Sequence, residues 1–262
     1  MHLATSAIVL TALPHGEHGA VVRFLTPDDG LQAGYVRGGR SRRIRPTLQP
    51  GNVVALELRA RVDTQLTAAT VELVTSRAGL AFDRLTAAAT EWLATVTAAL
   101  LPEGQAHARL HAGLDALLGG MSAGIPAADT AAGIARYELL LLAELGFGLD
   151  LSQCAATGST EELVYVSPRS SQAVSRGAGA PYAAKLLPLP ALLREDRAAT
   201  GWLGVDDALT TTGWFLERNL LIGRAAELLT ARARLVAIVR AAAESAASAA
   251  AETIVAPSPR GD

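Results

Sequence analysis

Five arginines within nine residues form the densest concentration of positive charge in the sequence. They are Arg37, Arg40, Arg42, Arg43 and Arg45, and no acidic residue interrupts the run. Guanidinium groups donate paired hydrogen bonds to phosphate oxygens, and each phosphate that they neutralise releases counterions. Contacts of this kind carry little sequence preference. The residue types and their spacing therefore predict a flexible loop that binds a nucleic-acid backbone.

Three further side chains on the neighbouring strands could extend this site. Arg23 would add a cation, whereas Tyr35 and Phe24 would offer ring faces on which unpaired bases can stack. Packing in the core is nevertheless the favoured role for each ring. A basic loop could also bind an acidic protein, so that alternative stays open for the arginine run.

The charge of the chain is unevenly distributed along its 262 residues. The formal net charge is −2, which by itself argues against a nucleic-acid partner. However, residues 1–80 contain nine arginines and six acidic residues, whereas the remainder contains fourteen cations and nineteen acids. We therefore expect a basic N-terminal module joined to an acidic body.

Short β-prone runs, separated by turn residues, fill the first eighty positions. Alternating apolar residues and the Pro-Asp-Asp-Gly turn at 27–30 predict five strands, at 6–13, 20–26, 31–37, 53–61 and 67–74. Five strands in a segment of this length favour a small closed barrel. The oligonucleotide-binding (OB) fold is the commonest such barrel, and an SH3-like barrel would give a similar pattern.

From residue 79 onward the apolar spacing becomes helical. It predicts helices at 80–101, 107–118, 129–145, 204–212 and 214–242, with Phe82 on the buried face of the first. Residues 147–190 form an irregular insert with one strand at 163–166. The predicted α+β organisation is an OB barrel at 1–79, a mainly helical domain at 80–252 and a disordered tail at 253–262.

The sequence contains none of the common catalytic or nucleotide-binding motifs. Nucleophile-elbow, phosphate-loop and dinucleotide-binding patterns are absent from the sequence. His15 and His18 flank Glu17 but have no third ligand at a supporting spacing, and His107 and His111 are predicted to be surface residues. We therefore expect a protein that is not an enzyme and holds no cofactor, with a hydrolase that uses His15 or His18 as the remaining alternative.

Cys154 is the only cysteine of the chain. It excludes an internal disulfide, and together with the absence of a long uncharged apolar run it predicts a cytoplasmic protein without a membrane partner. Thr157, Ser175 and Ala178 stand near the positions where further cysteines of a zinc knuckle would occur. A single thiolate cannot hold a tetrahedral zinc ion, so a buried structural cysteine is predicted.

Four segments together resemble the RecO family of bacterial recombination mediators over nearly the whole chain. They are GEHGAVVRFLT at 16–26, RGGRSR at 37–42, LQPG at 48–51 and YELLLLAELGF at 137–147. The resemblance implies an OB barrel, a helical domain and a role in the gap-repair branch of homologous recombination. Such proteins bind single- and double-stranded DNA, anneal strands coated by single-strand-binding protein and, with RecR, help to load the recombinase RecA.

The resemblance also implies a pocket on the helical domain for the acidic tail of single-strand-binding protein. Phe215, Arg218 and Arg224 are the candidates, because such a tail needs an apolar pocket beside cations. Some family members hold zinc through four cysteines, so this chain is expected to be a degenerate version in which hydrogen bonds and packing replace the metal. An RNA-binding barrel and a pure interaction scaffold remain the alternative functions.

Overall fold

The computed structural model describes residues 2–59, 67–194, 201–222 and 226–255. An N-terminal set of strands is followed by a mainly helical region, as predicted. Within the described ranges, no helix combines the length and apolar character needed to span a membrane.

The N-terminal strands close into a barrel. They are β1 (His2–His15), β2 (Gly19–Thr26), β3 (Gly30–Val36), β4 (Val53–Arg59) and β5 (Ala68–Thr75), and they neighbour one another in the order β1-β2-β3-β5-β4. Strand β1 closes the ring by pairing with β4, and the β3–β5 pair is parallel. This topology confirms the predicted OB barrel. The predicted end of the fourth strand, at 60–61, lies outside the described residues.

Strand β1 serves two neighbours because it is long and bent. Its first half pairs with β4 and its second half pairs with β2, with a register shift between Val9 and Thr11. Inward-facing residues of the strands, such as Val22 and Leu56, form the barrel core. Outward-facing residues on the other side, such as Leu10 and Leu25, belong to the core of the helical region. The barrel is therefore packed directly onto the helices.

The region that follows contains six α-helices and a small sheet in the described ranges. The elements are α1 (Arg84–Leu100), α2 (Ala108–Ser122), α3 (Ala127–Glu144), β6 (Leu163–Val166), β7 (Ala173–Ser175), α4 (Arg176–Gly179), β8 (Leu187–Pro188), α5 (Val205–Asn219) and α6 (Ala226–Val255). The sheet has the order β7-β6-β8, so the predicted irregular insert contains two short strands besides the expected one. The predicted tail falls partly on α6, and residues 256–262 lie outside the described part of the chain.

Two predictions about the helices are wrong. Phe82 is 91% exposed, because the first helix begins only after Asp83, whose carboxylate accepts hydrogen bonds from the backbone of Leu85 and Thr86. The predicted break at residue 213 is also absent, since α5 runs through Gly213 to its last residue, 219. A side chain at Gly213 would come within 2.2 Å of the Arg232 guanidinium, so this glycine reflects a close approach between helices.

A buried ion pair joins four of the helices. The Glu138 carboxylate on α3 accepts hydrogen bonds from Arg232 Nε at 2.9 Å and Nη2 at 2.8 Å on α6. It also accepts one from Trp92 Nε1 on α1, at 2.9 Å, and one from the Thr212 hydroxyl on α5, at 2.5 Å. Arg232 donates further to the Leu209 carbonyl at 2.7 Å. Both charges are therefore paired and hydrogen-bonded inside the core.

Arg77 fastens the barrel to the helices. Its guanidinium donates to the Gly51 carbonyl at 3.1 Å and to the Asp115 carboxylate of α2 at 2.6 Å. On the other side of the barrel, the backbone of Gly104 donates to the Leu31 carbonyl at the start of β3, at 3.0 Å. Backbone and side-chain bonds thus fix the barrel against the helical region.

Asn52 holds the segment that joins β3 to β4. Its buried amide donates to the Pro46 carbonyl at 2.9 Å and to the Thr47 carbonyl at 3.2 Å, and its Oδ1 accepts from the Arg77 backbone at 2.8 Å. The Asn52 carbonyl accepts from the Val9 backbone at 2.9 Å. One side chain therefore connects the joining segment to the barrel and, through Arg77, to α2.

Replacing Glu138 with alanine should strongly destabilise the protein. The change would leave the Arg232 guanidinium buried without its counter-charge, which costs about 3–5 kcal/mol of unfolding free energy. Urea denaturation measures the loss. Asp206→Ala is the control, because its 2.6 Å pair with Arg240 is more than half exposed and should contribute little. Equal effects of the two substitutions would contradict the structural role of Glu138.

Replacing Asn52 with alanine should lower the unfolding free energy by about 1–3 kcal/mol, because buried carbonyl and amide groups would lose their partner. Chemical denaturation checks this value. Gln49→Ala, an exposed amide in the same segment, should change stability little. If Asn52→Ala were as stable as the original protein, the hydrogen bonds of the Asn52 side chain would contribute nothing to stability.

Candidate nucleic-acid interface

All five predicted arginines lie exposed on one short segment, here called the arginine segment (residues 37–45). Among the described residues, none of the five is paired with a carboxylate. The segment folds into successive turns, in which the backbone of Ser41 donates to the Gly38 carbonyl and that of Arg45 to the Ser41 carbonyl. The arginine segment is therefore a folded platform. The prediction of a flexible loop is wrong.

Two glycines allow the arginine segment to bend against β2. Gly38 has φ of +70°, in the left-handed region that favours glycine. Gly39 is buried, and a Cβ there would come within 2.8 Å of the Ala20 Cβ. The Arg-Gly-Gly-Arg sequence is thus explained by one backbone conformation and one close approach.

Arg40 ties the arginine segment to the loop between β1 and β2. Its guanidinium donates to the carbonyls of Gly16 at 3.2 Å and Glu17 at 3.0 Å. Its backbone amide donates to the His18 carbonyl at 3.2 Å. The loop and the arginine segment therefore form one continuous surface, and Arg40 has a positioning role that Arg42 and Arg43 do not share.

The aromatic candidates have different positions. Phe24 is fully buried in the barrel core, so packing, the favoured role for this ring, is confirmed. Tyr35 is half-buried, and its ring meets the His15 ring edge-on with centroids 5.9 Å apart. Gly19 makes room for the Tyr35 ring, because a side chain there would overlap it. His15 thus packs against an aromatic ring beside the arginine segment.

Arg23 does not join the arginine segment. Its guanidinium donates to the Ala98 carbonyl at the end of α1 and lies 3.3 Å from the Glu103 carboxylate. These bonds commit Arg23 to the contact between barrel and helices. Arg23 therefore has a structural role, and its nucleic-acid role stays a prediction.

A cleft opens between the inner side of the β1–β2 hairpin and the segment that follows β3. Its volume is about 530 Å³, and its lining consists of Ala12, Pro14, Ala20, Gly39, Arg40, Arg45, Leu48, Gln49 and Pro50. A second hollow of about 410 Å³, lined by Glu17, His18, Gly38, Arg40 and Ser41, lies on the other side of Arg40. Sequence reasoning missed this cleft, because its lining comes from three separate stretches of chain.

His107 lies in the interior, against the prediction. His107, predicted at the surface, is 4% exposed, and its Nδ1 lies 3.4 Å from the Glu144 carboxylate. Its Nε2 is buried and has no hydrogen-bond partner within the described structure. The start of α2 is packed against the end of α3, and this tertiary contact buries the ring.

Cys154 lies at the centre of the predicted degenerate zinc site. It is buried, and its Sγ accepts a hydrogen bond from the Ser175 backbone at 3.2 Å. Hydrogen bonds from Ser175 and Thr157 lower the pKa of the Cys154 thiol to about 6. Cys154, Thr157 and Ser175, three of the four positions of the predicted degenerate zinc site, therefore lie together. One thiol beside two hydroxyl-bearing residues does not provide the donor set of a structural zinc site.

The predicted tail pocket on the helical domain is only partly accessible. Phe215 is buried, with its ring edge-on to Trp214, so its role as a binding residue is wrong. Arg218 is exposed, lies 4.9 Å from the centre of the half-buried Trp214 ring and donates to the Pro168 carbonyl. Arg224 lies outside the described residues.

Beside Trp214, a groove of about 230 Å³ runs between α5 and α6. It is lined by Leu209, Thr210, Gly213, Trp214, Glu217, Arg232, Val236 and Arg240. The accessible aromatic ring of this region is therefore that of Trp214, which precedes Phe215 on α5 and contacts its ring.

Comparisons with known proteins agree across both parts of the chain. Residues 1–77 match the family model described as recombination protein O N terminal, and residues 81–225 match that of its C terminal. The chain is 44% identical to a DNA repair protein RecO of Rhodopseudomonas palustris strain TIE-1, covering 92% of this chain and 97% of the relative.

Two further relatives have the same name. The protein of Mesorhizobium japonicum is 43% identical, over 92% of this chain and 94% of its own length. That of Caulobacter vibrioides is 46% identical, over 83% and 89% respectively. The barrel topology, the helical region and these likenesses agree, and the chain therefore belongs to the recombination protein O family.

Proposed function

We propose that this protein binds DNA through the arginine segment and acts as a mediator in DNA repair and homologous recombination. In this role it anneals complementary single strands and, with RecR, helps to load the recombinase RecA. The observation that carries the proposal is the set of five exposed arginines without carboxylate partners on one folded segment of the barrel. Family membership supports the biological setting.

Charge and geometry are sufficient for annealing. Two DNA strands repel each other through their phosphates, and a protein that neutralises both backbones reduces this repulsion. Holding one strand near another also raises its effective concentration. No group in this scheme forms or breaks a covalent bond, so the proposed role needs no catalytic residue.

The folded state of the arginine segment favours binding. Arg40 holds the middle of the segment and Asn52 holds the two residues that follow it, so few backbone conformations are lost when phosphates bind. Arg42 and Arg43 extend from this platform into solvent. The helical region carries an excess of acidic residues and would keep the DNA on the barrel.

We also propose RecR and single-strand-binding protein as partners, as the family resemblance implies. For the acidic tail of the latter, we now favour the groove between α5 and α6. Trp214 and Val236 supply its apolar wall, and the exposed Arg218 stands beside it. Arg240, paired with Asp206, and Glu217 are the exposed charged residues of the described lining. An apolar wall next to cations suits an acidic peptide with an apolar end.

Replacing Arg40, Arg42 and Arg43 together with alanine should abolish most DNA binding. The slope of log affinity against log salt concentration should fall by about one unit for each lost phosphate contact. Fluorescence anisotropy over a salt series measures both quantities, and a strand-annealing assay under the same conditions should show the same loss.

The matched control is a triple substitution of Arg84, Arg169 and Arg234 with alanine, since these exposed arginines lie outside the segment and change the charge equally. DNA affinity that survives the first triple substitution would indicate a protein scaffold instead. RNA of matched sequence that outcompetes DNA would indicate the RNA-binding alternative.

Replacing Trp214 with alanine should weaken binding of a synthetic peptide that carries the C-terminal residues of single-strand-binding protein. The ring forms much of the apolar wall, and loss of such an anchor typically weakens binding at least tenfold, or about 1.4 kcal/mol. Isothermal titration calorimetry measures the affinity. Trp202→Ala, at another half-buried tryptophan, is the control. Equal losses for both substitutions would place the peptide elsewhere.

A further inference from the structure

We infer that the cleft beside the arginine segment binds an unpaired nucleobase of the strand whose phosphates the arginines hold. This inference rests on the proposed function and makes it more specific, because it adds a base pocket to a phosphate-binding surface. The carrying observation is a cleft of about 530 Å³ in which apolar side chains lie next to two arginines, Arg40 and Arg45.

The apolar part of the cleft follows from strand geometry. Ala12 and Pro14 are two residues apart on β1, so both side chains face the same side of the strand. Ala20 and Leu48, which are 4% and 3% exposed, form the floor. The volume lies within the range of about 300–1,000 Å³ that is typical of small-molecule sites. A flat, apolar group therefore has both room and contact surface here.

The polar part of the cleft selects for a nucleotide. Arg40 and Arg45 are its charged residues, and no carboxylate belongs to the described lining. Gln49 offers an amide that both donates and accepts, as the edge of a base requires. An apolar peptide segment would gain nothing from the two guanidinium groups, whereas a nucleotide joins a planar base to a phosphate. Charge and shape together favour the nucleotide.

Entry of a base requires that it be unstacked and unpaired. The bases of a duplex are held in the stack, so duplex DNA would contact the arginines through its backbone alone. A single strand would gain the additional burial of one base. The cleft would therefore give the barrel a preference for single strands that the arginine segment alone does not provide.

The first test uses the unaltered full-length protein and two labelled single strands of equal length, one of deoxythymidine and one of abasic nucleotides. Both carry the same phosphates, so a difference in affinity reports contacts with the bases, which the second test assigns to the cleft. We expect the thymidine strand to bind about tenfold more tightly, as is typical for one base held by a protein. Equal affinities in fluorescence anisotropy would overturn the inference.

The second test fills the cleft by Ala12→Phe, with Ala4→Phe at an exposed position of the same strand as the control. The Ala12→Phe variant should bind the thymidine strand no better than the abasic strand, while its affinity for duplex DNA stays unchanged. A base preference that survives Ala12→Phe would overturn the inference. If Ala12→Phe does not fold, the comparison of the two strands on the unaltered protein decides.

The triple arginine substitution separates this inference from the proposed function. If it leaves the affinity for thymidine, abasic and duplex DNA unchanged, the proposed function fails, and the inference fails with it. If it abolishes binding to all three while the unaltered protein shows no base preference, the base pocket alone is wrong.

Discussion

The ion pair between Glu138 and Arg232 is the interaction around which the helical region is arranged. Removing two charges from water is costly, and the cost is offset only when both are fully hydrogen-bonded. Here Trp92 on α1 and Thr212 on α5 complete the bonds of the carboxylate, so the pair is satisfied only when four helices are in place. Assembly of the helices and burial of the charges are therefore one event.

The position of the arginine segment depends on that helical assembly through a short series of contacts. Asp115 on α2 holds the Arg77 guanidinium, the Arg77 backbone donates to Asn52, and Asn52 holds the carbonyls of residues 46 and 47. Each contact is local and specific, and together they reach from the helices to the start of β4 and the end of the arginine segment. A surface that lacks regular secondary structure is thus given a defined shape by its neighbours.

The sequence predicted those features that depend on nearby residues. Alternating apolar positions located the five strands, and five arginines without an acidic residue between them indicated an exposed basic segment. Burial was less predictable, because it is decided by distant parts of the chain: Phe82 was left exposed, and α3 covered His107. The cleft escaped prediction for the same reason, since β1, β2 and the segment after β3 meet there only in the folded protein.

Among the described residues, strands β3 and β5 pair at only two positions, Tyr35 with Ala68 and Val36 with Ala69. A seam this short gives the barrel its lowest resistance to local opening, since few hydrogen bonds must break there. The arginine segment starts one residue beyond this seam. The place where the barrel opens most easily is therefore next to the surface that carries its positive charge.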